Sequence, residues 1–126
     1  MAAHNDLGRW GEQKAAEFLA AKGYRILHQD WKTGRRDLDI VALTPDGSTL
    51  AVVEVKTRRG TDFATPEQSV DWRKMRSLTM AAGAYVNRYA IDLDIRFDII
   101  SVVGMSDDTV SIDHIEGAFL PPVITR

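Results

Sequence analysis

Acidic side chains sit in the middle of two apolar segments that are close in sequence. Arg36-Asp37-Leu38-Asp39-Ile40-Val41-Ala42 and Leu50-Ala51-Val52-Val53-Glu54-Val55-Lys56 flank the turn-forming run Pro45-Asp46-Gly47-Ser48. Folded as a hairpin with Thr44 facing Thr49, they place Asp39 opposite Glu54 and Asp37 opposite Lys56. Like charges directly across a sheet repel, so an acid facing an acid calls for a cation. A neighbouring Lys or Arg can supply it, and so can a divalent metal held by oxygen ligands. Alternation puts Val52, Glu54 and Lys56 on one face of the second strand, and Asp37 and Asp39 on one face of the first. Asp39, Glu54 and Lys56 then converge. Two carboxylates, a backbone carbonyl and several waters suit Mg²⁺, which can bind a phosphate oxygen and lower the pKa of an attacking water. Lys56 can hold that water or add positive charge. Such a set is equipped to hydrolyse a phosphodiester. The plainer arrangement is an Asp37–Lys56 cross-strand ion pair with Asp39 and Glu54 at the sheet rim. It leaves open why acids stand where Val or Ile would be favoured.

The rest of the chain supplies elements to hold this hairpin. Asn5 or Asp6 can cap a helix running to about Lys22, with Leu7, Trp10, Ala15, Phe18 and Leu19 as its apolar stripe and Gly23 just past its end. Residues 24–31 form a strand, with Tyr24 and Ile26 on one face and Leu27 on the other. The hairpin strands are apolar almost throughout, apart from their charges, as expected of strands buried on both faces. A basic loop over 56–65 follows. Thr65-Pro66-Glu67-Gln68 then gives a Thr cap, Pro at the first helical position and a capping-box Gln, predicting a helix to about Arg88. Residues 95–103 and 110–115 are further strands. The order α-β-β-β-α-β-β makes the third and fourth strands a parallel crossover pair within a mixed sheet flanked by helices.

At 126 residues, with no repeat or linker, the chain is expected to form a single domain over 1–126. It has no cysteine, which excludes disulfides, thiolate metal sites and thiol catalysis. Neither a membrane-spanning run nor a signal peptide is visible, so a cytoplasmic protein with no membrane partner is expected. The net charge of −2 is unevenly spread: residues 1–88 hold 14 basic against 11 acidic side chains, and the remainder hold 2 against 7. Lys32, Arg35, Arg36, Lys56, Arg58 and Arg59 gather around the hairpin, with Arg73, Lys74 and Arg76 beyond, a distribution able to attract a polyanion. The alternative is a solvated surface of mixed charge.

Val53-Glu54-Val55-Lys56-Thr57-Arg58 after Asp37-Leu38-Asp39-Ile40-Val41-Ala42 resembles the PD-(D/E)xK nuclease signature. The chain as a whole resembles the YraN-like family of uncharacterised bacterial proteins, related to archaeal Holliday-junction resolvases. Gly8-Arg9-Trp10-Gly11-Glu12, Gly23-Tyr24-Arg25-Ile26-Leu27, Asp30-Trp31-Lys32, Lys74, Arg96-Phe97-Asp98 and His114-Ile115-Glu116-Gly117-Ala118-Phe119 fit the same pattern, over roughly residues 7–119. The resemblance implies a restriction-endonuclease-like αβββαβ core within an α/β fold. It also implies catalytic positions at Asp39, Glu54 and Lys56, and metal ligands at Asp39, Glu54 and Glu12 for Mg²⁺ or Mn²⁺. Arg36-Asp37 departs from the family's usual Gly-Glu and puts a long cation beside the site, which either narrows access or adds a phosphate contact. Related resolvases act as dimers on two-fold substrates, so a homodimer is expected by analogy.

Other residues have ordinary explanations beside functional ones. Glu12 alone would be a solvent-facing helical acid pairing with Arg9 or Lys14. Gln68 is a capping residue that a site could also use. Arg73 and Lys74 are helix charges or phosphate contacts, and Trp72 is the best candidate for base stacking, ahead of Trp10 and Trp31. His4, His28 and His114 lack metal-ligand spacing and are expected to be structural or exposed. The leading expectation is a metal-dependent DNA endonuclease, structure-selective in repair or recombination, with Arg35, Arg36, Arg58, Arg59 and Lys74 on the substrate backbone. The alternatives are a nucleic-acid-binding module without turnover, and an adaptor for DNA-processing proteins that docks through the sheet edge or Pro121-Pro122.

Overall fold

A computed structural model of the protein describes residues 3–60, 70–104 and 106–121. The elements are α1 (Ala3–Ala21), β1 (Arg25–Thr33), β2 (Arg36–Leu43), β3 (Thr49–Arg58), α2 (Trp72–Tyr89), β4 (Asp94–Val103) and β5 (Ser111–Phe119). They form a mixed α/β fold with one five-stranded sheet in the order β1-β2-β3-β4-β5 and a helix against each face. This arrangement is consistent with a restriction-endonuclease-like core. β3 is central, antiparallel to β2 and parallel to β4 along its whole length. Among the described residues no helix is long and apolar enough to cross a membrane.

The two-sided burial anticipated for β2 and β3 comes from this sandwiching. Val41, Leu50 and Val52 pack with Leu78, Ala81, Ala82 and Tyr85 of α2. Ile40, Ala42, Ala51 and Val53 pack with Ala15, Ala16 and Leu19 of α1. Tyr24 and Ile26 join the α1 side and Leu27 the α2 side, as alternation predicts.

α1 begins at Ala3, so Asp6 lies in its first turn instead of capping it, where its charge complements the helix dipole. Gly23, at φ 95°, ends the helix while Tyr24 N–H returns to Leu19 O at 3.0 Å. The described start of α2 also differs from expectation. Asp71 caps it by accepting Lys74 N–H at 2.9 Å, and Val70 before it is a bend, so no helix runs through Val70. The Thr65 cap and Gln68 lie outside the described residues. β1 and β5 both extend beyond the expected limits, to Thr33 and Phe119.

Candidate functional site

The turn sets the register. Asp46 accepts from Ser48 N–H, Ser48 Oγ and Thr44 Oγ1, and Thr44 N–H bonds Thr49 O at 3.0 Å. From there Leu43 pairs with Leu50 and Ile40 with Val53, the register the turn predicts, in line with Asp39 opposite Glu54. Backbone pairing stops at Ile40–Val53, so Asp37 does not face Lys56 across a ladder. Asp37 instead pairs with Lys32 on β1, 3.8 Å away.

The cause is a break in the alternation of β2. Leu38 packs on the α2 side and Ile40 on the α1 side, although two residues apart they should share a face. The phase changes at Asp39. Its partner strand changes with it: β1 pairs Gln29 with Ile40 and Trp31 with Leu38, and Asp30 between them has φ 51°, a left-handed conformation rare outside glycine. Asp39 therefore does not share a regular face with Asp37. It reaches into the gap beside β3, where Oδ2 accepts Val55 N–H at 2.8 Å. A side chain takes over the hydrogen bond that the ladder has given up.

Glu54 sits across this gap and is buried, 4% exposed. Its Oε2 is 3.4 Å from Lys56 Nζ and 3.3 Å from Lys74 Nζ. The charge of Glu54 acts on Asp39 across this gap. Burial first, and the Glu54 charge second, push the Asp39 pKa up to about 8. Near neutral pH the metal-free pair therefore holds a proton. Lys74 is held above the usual lysine range: burial opposes this, but the charge of Glu54 outweighs it, with Asp39 and Asp37 adding to the effect.

Glu12 enters from α1. Its carboxyl is raised by burial and then by the charges of Asp30, Asp37 and Glu54, so it belongs to the field of this site. The solvent-facing pairing with Lys14 is not formed. Lys14 binds Glu17 at 3.4 Å and Asp107 at 2.9 Å. Gly11 explains how α1 comes so near: a Cβ there would lie within the side chain of Thr57 on β3, 2.8 Å from its Cβ.

The sheet end that carries Asp39 and Glu54 also carries most of the predicted basic residues. Arg35 is exposed in the β1–β2 turn, and Arg58 and Arg59 close β3. Arg36 is half-buried against α2, with Nη2 3.5 Å from Met80 Sδ and Nε buried without a hydrogen-bond partner among the described residues. Trp72 is 60% exposed, while Trp10 donates to Asp107 and Trp31 to Tyr89, as packing residues do. Among the described residues no group of three or more His, Asp or Glu is arranged to hold a metal ion.

Sequence reasoning missed two features. One is the contribution of Asp30 and Lys74 to the acidic cluster. The other is a buried network on β4 and β5: Asp98, 1% exposed, accepts from Arg96 Nε and Nη2, from Gly117 N–H and from His114 Nε2 at 2.8 Å. His114 is structural, as expected, and His28 likewise contacts Tyr85 Oη at 2.7 Å. The side chain of His4 lies outside the description. A cleft of about 380 Å³ beside this network is lined by Lys22, Tyr24, Arg96 and Glu116. Its cations are neutralised internally, Glu116 lying 3.9 Å from Lys22 and 3.7 Å from Arg96. The carboxyl most strongly raised by its surroundings is elsewhere, at Asp39 beside Glu54.

Comparison with known proteins gives a consistent family. The family model Uncharacterised protein family UPF0102 matches residues 11–102. A UPF0102 protein of Phocaeicola vulgatus is 45% identical over 98% of this chain and 99% of its own length. One from Porphyromonas gingivalis is 50% identical over 94% of this chain and 87% of its own, and one from Flavobacterium psychrophilum 43% identical over 94% and 98%. With its matched segment running from Gly11 beside Glu12 through both acidic strands to β4, the chain belongs to the uncharacterised protein family UPF0102.

Proposed function

We propose that this protein is a Mg²⁺- or Mn²⁺-dependent endonuclease acting on DNA, with its site at the gap between β2 and β3. The observation that carries this reading is the pairing of a buried Glu54 with a half-buried Asp39 across the β2–β3 gap, the Asp39 carboxyl pushed up to about 8 by burial and by the Glu54 charge. Two neighbouring carboxyls whose counter-charge comes from the mobile side chains Lys56 and Lys74 offer oxygens that a divalent ion can take over, and a set with few protein ligands suits Mg²⁺, which retains water. Asp39, Glu54 and a backbone carbonyl would hold the ion, with Glu12 reaching it through water. When bound, such an ion supplies charge to the phosphate and a more acidic attacking water.

The chain's own residues do the rest. Val55 N–H fixes one oxygen of Asp39, so the carboxylate is oriented before any ligand arrives. Lys56, 3.4 Å from Glu54, is placed to orient the nucleophilic water or to bind a phosphate oxygen. Arg35, Arg36, Arg58 and Arg59 offer backbone-phosphate contacts, which position a substrate without reading its sequence.

A second reading, a DNA-binding module without turnover, is favoured by the absence of a three-residue metal group among the described residues. Incubation with branched, flapped and linear DNA, with and without Mn²⁺, separates the two. Metal-dependent cutting that disappears in Asp39→Asn and Glu54→Gln supports the nuclease. Binding that persists in both variants, with no cutting of any substrate by the unaltered protein, supports the module. Absence of binding at low salt removes both, because phosphate contacts are strongest there.

A further inference from the structure

Two lysines from different elements meet one oxygen. Lys56 lies on β3, two residues beyond Glu54, and Lys74 reaches in from the first turn of α2; both ammonium groups approach Glu54 Oε2, at 3.4 and 3.3 Å. Both ammonium groups therefore share the charge of a single carboxylate. Lys74 is the more consequential of the two. It is half-buried, and Asp39 and Asp37 as well as Glu54 act on its charge, so it compensates the acid cluster as a whole.

We propose that Lys74 is the site's own counter-ion, competing with any divalent cation for Glu54 and released towards the substrate phosphate when the pair is loaded. The inference rests on the nuclease reading above. Its physical basis is plain. An ammonium and a doubly charged ion repel when they share a buried carboxylate, and in low dielectric that repulsion is large. Lys56 shares the strand of Glu54 and stays beside it. Lys74 comes from a separate element and can leave by rotating its own side chain, with Asp71 keeping the helix start capped. Arg73, the residue before it, is exposed at the same helix start and offers a second cation near the path of a phosphate. Lys74 is then inhibitory towards metal in the DNA-free protein and useful once DNA is bound.

The test is Mn²⁺ binding to the full-length, DNA-free protein by titration calorimetry, comparing the unaltered chain with Lys74→Met, Lys74→Gln and Lys74→Arg, with Asp39→Asn to assign the heat to this site. Lys74→Met and Lys74→Gln should bind Mn²⁺ at least tenfold more tightly than the unaltered protein, and Lys74→Arg should stay close to it. At saturating Mn²⁺ the first two should nevertheless cut DNA more slowly. A merely structural lysine would not move affinity and rate in opposite directions. Unchanged or weaker Mn²⁺ binding in both neutral variants overturns the role of Lys74 and leaves the nuclease reading standing. No Mn²⁺ binding by any of the proteins overturns both. Circular dichroism of each variant establishes that it is folded, and the Gln variant carries the test if the Met variant is not.

Discussion

Asp39 holds the Val55 N–H at 2.8 Å across a gap where β2 and β3 have stopped pairing. One oxygen of the acid is thus committed to the fold, while its carboxyl also faces that of Glu54. The two duties can be separated by substitution. Asp39→Asn keeps an oxygen for Val55 and loses the charge. Asp39→Ala loses both and leaves a part-buried N–H without its partner. The Asn variant should be the more stable of the two by about 1–3 kcal/mol, the cost of an unsatisfied buried donor, and both should lack metal-dependent cutting. Urea melts of the pair measure the difference; equal stabilities would mean that the Val55 contact contributes nothing.

The raised carboxyl sets a pH dependence. Asp39 ionises near its ordinary value of 3.8 in the unfolded chain but at about 8 in the folded one. Between those values the folded state holds a proton that the unfolded state has lost. Stability from this group is therefore full below about pH 4, declines as pH rises through the window and levels off above about 8. The decline should amount to on the order of a few kcal/mol in metal-free protein. It should be absent in Asp39→Asn and reduced by saturating Mn²⁺. Chemical denaturation from pH 5 to 9 tests this, and an equal slope in Asp39→Asn would assign the decline to other groups.

Gly11 should be sensitive to a single methyl group. Gly11→Ala drives a Cβ into Thr57 and forces α1 away from β3. A cost of about 1–3 kcal/mol is expected, the usual penalty for overpacking, together with a loss of activity as Glu12 withdraws. Thr57→Ala removes the two nearest atoms, so the double variant should recover part of both. A strictly additive double-mutant cycle would show that the two residues do not press on each other.

Asp98 joins β4 to β5 through its hydrogen bonds to His114 and Gly117. Burial works to raise its carboxyl, but hydrogen bonds from His114, Arg96 and Gly117 outweigh that and hold it below the usual aspartate range. Its stabilisation is present above the unfolded value and is lost as pH falls through the lower folded one. Asp98→Asn removes the carboxylate that Arg96 and His114 share, with Glu116 still 3.7 Å from Arg96, and should cost about 1–3 kcal/mol, as the loss of charge-assisted hydrogen bonds does. Any remaining folded protein should bind Mn²⁺ at the Asp39–Glu54 pair with unchanged affinity, measured by calorimetry below the melting temperature.

Much of this was legible in the chain. Pro45-Asp46-Gly47-Ser48 fixes the Thr44–Thr49 closure, and from that one contact the Ile40–Val53 register follows by counting. Tyr24, Ile26 and Leu27 sort onto their faces by alternation alone. Counting fails at Asp39, because it assumes that pairing continues. Nothing in Leu38-Asp39-Ile40 announces a phase change, and the matching irregularity at Asp30 lies on another strand. The start of α2 was misplaced because Thr65-Pro66 is a strong local signal, while the Asp71 cap is weaker in sequence and is seen only in its bond to Lys74 N–H. Asp98 and His114 were out of reach for a different reason. They are 16 residues apart, and only the pairing of β4 with β5 brings them to 2.8 Å.

The unequal support of the two acidic strands has a mechanical consequence. β3 is bonded to β4 from Thr49–Asp94 to Arg58–Val103, so Glu54 and Lys56 ride on a fixed jaw. Beyond Ile40 the backbone ladder of β2 continues only outward, to β1, through Leu38, Asp37 and Arg36, while the Asp39 side chain reaches inward to Val55 N–H. Any change in the width of the mouth is therefore made on the side of Asp39, and the tool is adjustable from one handle only.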